Sequence, residues 1–341
     1  MKALCKVKSV QFLLIFNCLV WITVNGFGQT MPMAGPYGVH DPVMIKQDSS
    51  YYLFCTGQGI TCFSTSDLVN WKRLAPVFKT PPLWAVKAVP GYKGHTWAPD
   101  ISFHNGKYWL LYSVSAFGKN TSCIGLAENV TLDFGSKDYK WVDHGKLIQS
   151  VPGRDDWNAI DPNMVFDENN HPWVCFGSFW NGIKLVRLKD DLSAIDEPQS
   201  WYSLARRPRK SAASDTAAGN GAIEGPFIFK KGAYYYLFVS FDYCCRGINS
   251  NYKVMVGRSK SLTGPYIDKS GTPMLEGGGS PVVTGNKRYP GVGHCGVNTF
   301  GGNDFIIFHG YDREKNGRPR LLMEELQWDE EGWPFIKALP K

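Results

Sequence analysis

The chain has 341 residues, of which 43% are hydrophobic, 14% aromatic and 20% charged, and its formal net charge is +7. This composition excludes a disordered or fibrous protein, and the mild positive charge gives no reason to expect a nucleic-acid partner. The length suffices for one large all-β domain or for two ordinary domains.

The N-terminus predicts export. Lys2, Lys6 and Lys8 form a basic start, and the apolar stretch from Phe12 to Val24 is too short to span a bilayer comfortably. We therefore interpret residues 1–29 as a signal peptide and residues 30–341 as a single domain that is secreted or periplasmic. No later segment is long and apolar enough to predict a membrane span.

A short motif recurs five times behind the predicted signal. Its copies carry Asp41, Asp100, Asp161, Glu224 and His294, at successive spacings of 59, 61, 63 and 70 residues. A structural unit that is repeated around a centre brings residues distant in sequence together. We expect the carboxylates of this repeat to meet.

The same order of elements follows each motif: a short apolar strand, a turn, and an aromatic strand. In the second copy, Ile101–Phe103 leads through a His-Asn-Gly turn to Tyr108–Tyr112. β-Branched and aromatic runs that are broken by Gly and Asn predict hairpins. A third strand follows in each copy, and a fourth is predicted at 71–77, 141–148 and 333–338.

Four strands in a unit of about 60 residues are typical of a propeller blade. The sequence therefore predicts an all-β fold, a five-bladed β-propeller with four-stranded blades. Because the first strand of each blade lines the central channel, the five motifs are expected to converge at one mouth of that channel.

Three of the carboxylates suggest glycoside hydrolysis. This reaction needs one carboxylic acid to protonate the leaving oxygen and a second carboxylate to activate water or attack directly. Asp41, Asp161 and Glu224 each lie within two residues of a proline, which stiffens the turn that carries them. The longer Glu224 suits the acid and Asp41 the base, while Asp161 could hold the pKa of the acid up. One Asp-Pro pair often makes only a turn, but three in register favour the catalytic interpretation.

Several segments resemble glycoside hydrolase family 43. Four of them contain the motifs: Val39-His40-Asp41-Pro42, Trp97-Ala98-Pro99-Asp100, Asn158-Ala159-Ile160-Asp161-Pro162 and Ala222-Ile223-Glu224-Gly225-Pro226. Three more are similar to the arabinanase branch: Ser178–Gly182, Phe241–Gly247, and Gly293–Gly296 together with Phe308–Asp312. The resemblance covers residues 33–341.

The resemblance implies an inverting endo-α-1,5-L-arabinanase that acts on plant cell-wall arabinan or arabino-oligosaccharides, and we expect a monomer. It implies Asp41 as general base, Glu224 as general acid and Asp161 as modulator of the pKa of the acid. Inversion needs room for water, so the two main carboxylates should be about 6.5–9.5 Å apart. The resemblance implies no acid–base role for Asp100, and we interpret this residue as a structural turn carboxylate.

The resemblance also implies a calcium ion in the central channel, with His294 as its protein ligand and water completing the shell. Calcium prefers oxygen ligands, so a lone imidazole would be an unusual site. The alternative is a His294 that is hydrogen-bonded in the channel without a metal.

Residues beside the acids are candidates for contacts with a sugar, because rings pack on aromatic faces and hydroxyls need polar partners. Besides Asp41 and Asp161, the predicted substrate contacts are Trp97, Phe117, Gly118, Asn158, Ala159, Ile160, Ser178, Phe179 and Trp180.

Two alternatives and one cysteine pair stay open. An exo-acting arabinanase, arabinofuranosidase or β-xylosidase of the same family would share the three acids. A non-catalytic carbohydrate-binding propeller would tolerate the loss of one acid, and none is lost here. Cys244 and Cys245 could form a vicinal disulfide after export or remain two thiols, and no catalytic role is predicted for them.

Overall fold

The structure is a computed structural model that describes Met1, residues 33–209 and residues 221–339. Apart from Met1, the predicted signal peptide lies outside these residues and stays a prediction. Residues 32–341 form one compact unit. Within the described ranges, no helix has the length and apolar character needed to cross a membrane.

Five antiparallel sheets follow one another along the chain, each with four strands running from the centre outwards. The first blade consists of Val43–Gln47, Ser50–Cys55, Thr61–Thr65 and Lys72–Arg73. The second consists of His95–His104, Lys107–Val114, Ser122–Asn129 and Val142–Ser150. The third consists of Asn163–Phe166, Pro172–Phe176, Ile183–Arg187 and Trp201–Ala205. The fourth consists of Ile223–Lys231, Tyr234–Phe241, Lys253–Ser259 and Ser280–Val283.

The fifth blade takes three strands from the end of the chain and one from its start. Its first three strands, from the centre outwards, are Val292–Phe300, Asn303–Asp312 and Arg318–Glu325. Its fourth and outermost strand is Met33–Tyr37. The predicted five-bladed β-propeller with four-stranded blades is thus confirmed.

Few other elements accompany the blades in the described ranges. The short strand Gly57–Gln58 pairs with the start of the second blade. The helical elements are Leu83–Ala88 and the 3₁₀ turns Gly247–Asn249, Met274–Glu276 and Arg313–Lys315.

Hydrophobic side chains fill the spaces between neighbouring blades in five clusters. Between the first and second blades, Phe54, Tyr108 and Tyr112 are buried together. Between the fourth and fifth, Phe238 packs with Phe308. Burying a side chain of this size contributes about 1.5–3 kcal/mol. The alternating aromatic strands of the sequence therefore hold adjacent blades together.

The prediction that 333–338 forms the outer strand of the last blade is wrong. Pro334–Phe335 pairs only with Gln327–Trp328, in a separate two-stranded sheet. The edge of Arg318–Glu325 is already covered by Met33–Tyr37, which pairs with it antiparallel. The two ends of the compact unit thus share one sheet, and this pairing closes the ring.

Tyr37 anchors the closing strand. Its hydroxyl donates to Asp312 Oδ2 at 2.8 Å, and Arg320 Nη1 donates to the same hydroxyl at 3.1 Å. The Arg320 guanidinium also lies 4.4 Å from the centre of the Tyr37 ring. Asp312 is fully buried, and its carboxylate depends on Tyr37 together with the Glu314 N–H at 3.0 Å and Arg288 Nη2 at 3.4 Å.

We expect Tyr37→Phe to lower the free energy of unfolding by about 1–2 kcal/mol, because it removes a donor from a buried carboxylate. Urea denaturation followed by tryptophan fluorescence measures the change. Tyr202→Phe is the matched control, since Tyr202 is exposed and surface changes usually fall within about 0.5 kcal/mol. Equal effects of the two substitutions would contradict the anchoring role.

Candidate active site

Each inner strand is preceded or interrupted by one residue in the left-handed region of backbone conformation. These residues are Asp41 (φ 52°), Ala98 (φ 39°), Asp161 (φ 57°), Gly225 (φ 56°) and His294 (φ 52°). The first four stand directly before a proline. They are the equivalent positions of the five blades.

Two of the acids that the spacing places in the repeat do not occupy the left-handed position of their blade. Asp100 comes two residues after Ala98, and Glu224 comes one residue before Gly225. The strand register shifts at these points, between Trp97 and Asp100 in the second blade and after Glu224 in the fourth. The prediction that the five residues are equivalent is therefore wrong in two blades: Asp100 is displaced by two residues and Glu224 by one.

In four blades the backbone N–H of the left-handed residue donates to a side chain near the end of the second strand of the preceding blade. The pairs are Asp41 with His309 Nδ1 (3.1 Å), Ala98 with Thr56 Oγ1 (2.8 Å), Asp161 with Ser113 Oγ (3.0 Å) and His294 with Ser240 Oγ (2.8 Å). Each turn is thus fixed by its neighbouring blade. Sequence analysis assigned no role to these four acceptor side chains.

The fourth blade differs from the other four. The facing position of the third blade is Gly177, whose N–H donates to the Ile160 carbonyl at 2.9 Å and which has no side chain to offer. The Gly225 N–H donates instead to Asp161 Oδ2 at 3.1 Å. Asp161 is thereby held against the residue that follows Glu224.

Asp41 is surrounded by donors and by imidazoles. Thr56 Oγ1 donates to its Oδ2 at 2.6 Å. Its Oδ1 lies 2.8 Å from His40 Nδ1 and 3.1 Å from His294 Nδ1. Burial alone would raise the pKa of Asp41, but His40 and His294 hold that pKa below its usual range. Asp41 is therefore ionised and suited to accept a proton.

The same contact acts on the neighbouring imidazole. Burial alone would lower the pKa of His40, but the Asp41 carboxylate raises it to about 10. His40 and Asp41 thus form a charged pair at the entrance to the first blade.

Glu224 has the opposite surroundings. Burial raises its pKa, and the nearby charges of Cys245 and Asp41 act in the same direction. Ser178 Oγ donates to Glu224 Oε2 at 2.8 Å, which partly opposes this shift and orients the carboxyl. Glu224 is therefore suited to carry a proton.

Asp161 completes the group of three acids. Burial raises its pKa well above the usual range, and repulsion from Glu224 and Asp41 raises it further. Two carboxyls in this position do not both ionise readily. Because the pKa of Asp41 is lowered while the other two are raised, the site has an acid and a base in one place.

The three acids line a cavity of ≈ 800 Å³. The other predicted residues on its wall are Trp97, Phe117, Gly118, Asn158, Ile160, Ser178, Phe179, Trp180 and His294. Ala159 does not line it. This residue is fully buried in the core between the second and third blades, and its N–H donates to Ser150 Oγ at 3.0 Å.

Wall residues that the sequence did not single out come from other loops. They include His95, Ser115 and Lys119. Each is a single residue of a common type, without a local pattern that marks it.

Two polar atoms on the wall are buried without a partner in the described part of the chain. They are Asn158 Oδ1 and Trp180 Nε1, an acceptor and a donor. Buried polar groups normally have hydrogen-bond partners. Hydroxyl groups of a bound sugar can partner both atoms. Phe117, which is 83% exposed, presents an apolar face at the rim.

Asp100 lies outside the cavity. Its carboxylate accepts from the Met164 N–H at 2.7 Å and from Asn163 Nδ2 at 3.3 Å, both in the third blade. Burial raises the pKa of Asp100 to about 7. The residue lies within the strand His95–His104 and joins two blades, so its predicted place in a turn is wrong.

His294 has some of the properties that a metal ligand needs. Burial lowers its pKa, which favours the neutral ring. Its Nδ1 faces Asp41, and its Nε2 has no hydrogen bond to the described residues. One imidazole nitrogen would hold calcium only if water supplied the oxygen ligands. The metal donors that converge most closely in the described ranges are two other groups, His40 with Asp41 and His309, and His40 with Cys244 and Cys245.

Comparison with known proteins connects this geometry to a family. Residues 35–334 match the model of glycosyl hydrolases family 43. The chain is 50% identical over 298 residues to an extracellular exo-α-(1→5)-L-arabinofuranosidase of Cellvibrio japonicus. The matched region covers 87% of this chain and 86% of that protein. It is 46% identical over 300 residues to the extracellular endo-α-(1→5)-L-arabinanase 1 of Bacillus subtilis, which covers 87% of each chain.

A solved structure agrees in fold. The α-L-arabinanase of Cellvibrio cellulosa in complex with arabinohexaose superimposes with a TM-score of 0.87 at 49% identity, covering 89% of this chain and 96% of that chain. The match of the family model over nearly the whole propeller, together with these relatives, shows that the chain belongs to glycosyl hydrolases family 43.

Proposed function

We propose that this protein hydrolyses the α-1,5 linkages of L-arabinan with inversion at the anomeric carbon. The observation that carries the proposal is the opposite direction of the pKa shifts of Asp41 and Glu224 in one cavity. The substrate is supported by the relatives named for action on α-(1→5)-arabinan and by the arabinohexaose complex. Both relatives are named extracellular, which supports export of this chain as well.

In the proposed reaction Glu224 donates its proton to the glycosidic oxygen as the bond to the anomeric carbon breaks. Asp41 takes a proton from the water that attacks the opposite face of the same carbon. Glu224 ends ionised and Asp41 protonated, and exchange with solvent restores both. Asp161 and Ser178 do not react; they set the pKa and the direction of Glu224.

Sugar binding is proposed at the apolar and unpartnered groups of the wall. Trp97 and the exposed Phe117 offer faces for the furanose rings. Asn158 Oδ1 and Trp180 Nε1 would gain the hydrogen bonds that they lack within the described chain. A bound hydroxyl group there removes the cost of leaving those atoms unpaired.

The mode of attack is the finer part of the proposal. The sequence predicts endo action, while the relatives divide between an exo-acting enzyme at 50% identity and an endo-acting one at 46%. We keep endo action as the prediction and exo action as the second candidate. Product lengths distinguish them, because endo attack gives a ladder of oligomers and exo attack one uniform short product.

Calcium at His294 is also proposed. A calcium ion at its Nε2, with water as the remaining ligands, would place positive charge near Asp41 and support the ionised state of that base. His294 supplies a neutral ring whose Nδ1 is held by Asp41 at 3.1 Å.

We expect the wild-type protein to release reducing sugar from linear arabinan as a ladder of oligomers, and Glu224→Gln to lower kcat by about 10²–10⁴-fold through loss of the general acid. On an arabino-oligosaccharide with a dinitrophenyl leaving group, which needs no protonation, Glu224→Gln should lower the rate far less. If the wild type binds arabinan but releases nothing, the protein is a carbohydrate-binding propeller and the proposal fails.

Ser178→Ala is expected to move the alkaline limb of the kcat/KM profile to higher pH, because the Ser178 hydrogen bond favours the ionised form of Glu224. The loss of orientation should lower kcat by about 10–100-fold. Ser193→Ala is the matched control, since Ser193 donates to the exposed Asp191 at 2.6 Å and should leave the profile unchanged. An alkaline limb that moves to lower pH would exclude Glu224 as the titrating acid.

Removal of metal by a chelator is expected to lower the rate of arabinan hydrolysis by about 10-fold or more, and added calcium should restore it. The dependence should disappear in His294→Ala. Full activity in protein shown to be metal-free by elemental analysis would make calcium dispensable.

A further inference from the structure

Three soft ligand atoms converge at the edge of the cavity. They are the sulfurs of Cys244 and Cys245 and His40 Nε2, and all lie within 4.8 Å of one another. Both cysteines are free thiols. The two cysteines follow the second strand of the fourth blade, whereas His40 precedes the first blade. All three line the cavity, and the proposed reaction uses neither thiol.

We propose that Cys244, Cys245 and His40 form a binding site for a thiophilic divalent cation of the Zn²⁺ class, and that the bound cation inhibits the enzyme. Thiolate and imidazole are the ligands that Zn²⁺ prefers. Three protein ligands leave one tetrahedral position for water or another ligand.

The observed spacing fits such a site. Tetrahedral Zn²⁺ with Zn–S of about 2.3 Å and Zn–N of about 2.0–2.1 Å places a sulfur and a nitrogen ligand about 3.6 Å apart. Cys245 Sγ lies 3.8 Å from His40 Nε2. The pair needs to close by only a few tenths of an ångström.

His40 has the support on its other nitrogen that metal-binding imidazoles usually have. Its Nδ1 lies 2.8 Å from Asp41 Oδ1. A carboxylate at this position fixes the orientation of the ring, and the metal takes the place of the proton on Nε2, which is released to solvent. The negative charge of Asp41 also attracts a cation at Nε2.

Tyr311 is the group that a metal would displace. Its hydroxyl lies 2.7 Å from His40 Nε2, and it also accepts from the Cys245 N–H at 2.7 Å. It therefore keeps one partner when His40 turns to a metal. The same N–H holds Cys245 in a left-handed conformation (φ 63°), which is uncommon outside functional sites for a residue with a side chain.

Inhibition follows from the position of the site. A cation bound to His40 would lie one imidazole ring from the Asp41 carboxylate, which we propose as the base. The cation and the ligand at its fourth position would occupy the cavity wall beside Asp41, where the proposed reaction needs the attacking water. Calcium, a hard cation that prefers oxygen, does not compete for two thiolates.

The direct test is titration of the reduced, metal-free protein with Cd²⁺. We expect a thiolate-to-cadmium charge-transfer absorption that saturates at one equivalent, and its loss in Cys244→Ser and in Cys245→Ser. Cys62→Ala, which removes a buried thiol from the core between the first two blades, should keep the band. This measurement does not depend on the proposed hydrolysis.

The second test measures Zn²⁺ inhibition of arabinan hydrolysis within each variant, as the ratio of rates with and without the ion. Cys245→Ser should need at least about 10-fold more Zn²⁺ than the wild type for the same inhibition, since one of three ligands is lost. No absorption band, a band that persists in both serine variants, or unchanged Zn²⁺ sensitivity would overturn the proposal. A Cys244–Cys245 disulfide found by mass spectrometry in protein isolated without reductant would also overturn it.

Discussion

The left-handed residue at the inner strand of each blade is the constraint on which the placement of the site depends. At Asp41 and Asp161, φ is 52° and 57° before a proline, and strain of this kind costs about 1–3 kcal/mol per residue. The N–H groups of these residues are held by His309 and Ser113, from the blade before each. The acids therefore take their positions only when neighbouring blades are in place, so closure of the ring and assembly of the site are one process.

The fourth blade carries a glutamate, Glu224, where the first and third blades carry an aspartate, and its hydrogen bonds differ accordingly. Gly177 leaves the N–H of Gly225 without a side-chain acceptor at the end of the second strand of the third blade, and Asp161, which precedes the first strand of that blade, accepts it instead. Glu224 comes one residue earlier than the repeated position, and Ser178 orients it. A departure of one residue from the five-fold pattern thus places a longer carboxyl next to Asp161.

The sequence was sufficient for the architecture, because regular spacing and aromatic strands predict blades directly, and the three predicted acids line one cavity. It failed where partners come from far along the chain. Nothing local marks Met33–Tyr37, rather than 333–338, as the strand that covers the last blade. Ala159 stands two residues from Asp161, yet it is in the core because neighbours in a turn face different ways. The repeat was located by the spacing of its acidic residues. The feature that all five blades share is instead a left-handed backbone turn, which Ala98 occupies in the second blade.

The difference in pKa among the acids comes from the groups around them rather than from the carboxyls themselves. His40 and His294 lie within 3.1 Å of Asp41, and they lower its pKa despite burial. Glu224 has a hydroxyl from Ser178 in place of an imidazole, and burial therefore dominates and raises its pKa. Since burial is common to both, the position of the imidazoles decides which carboxylate has the lowered pKa.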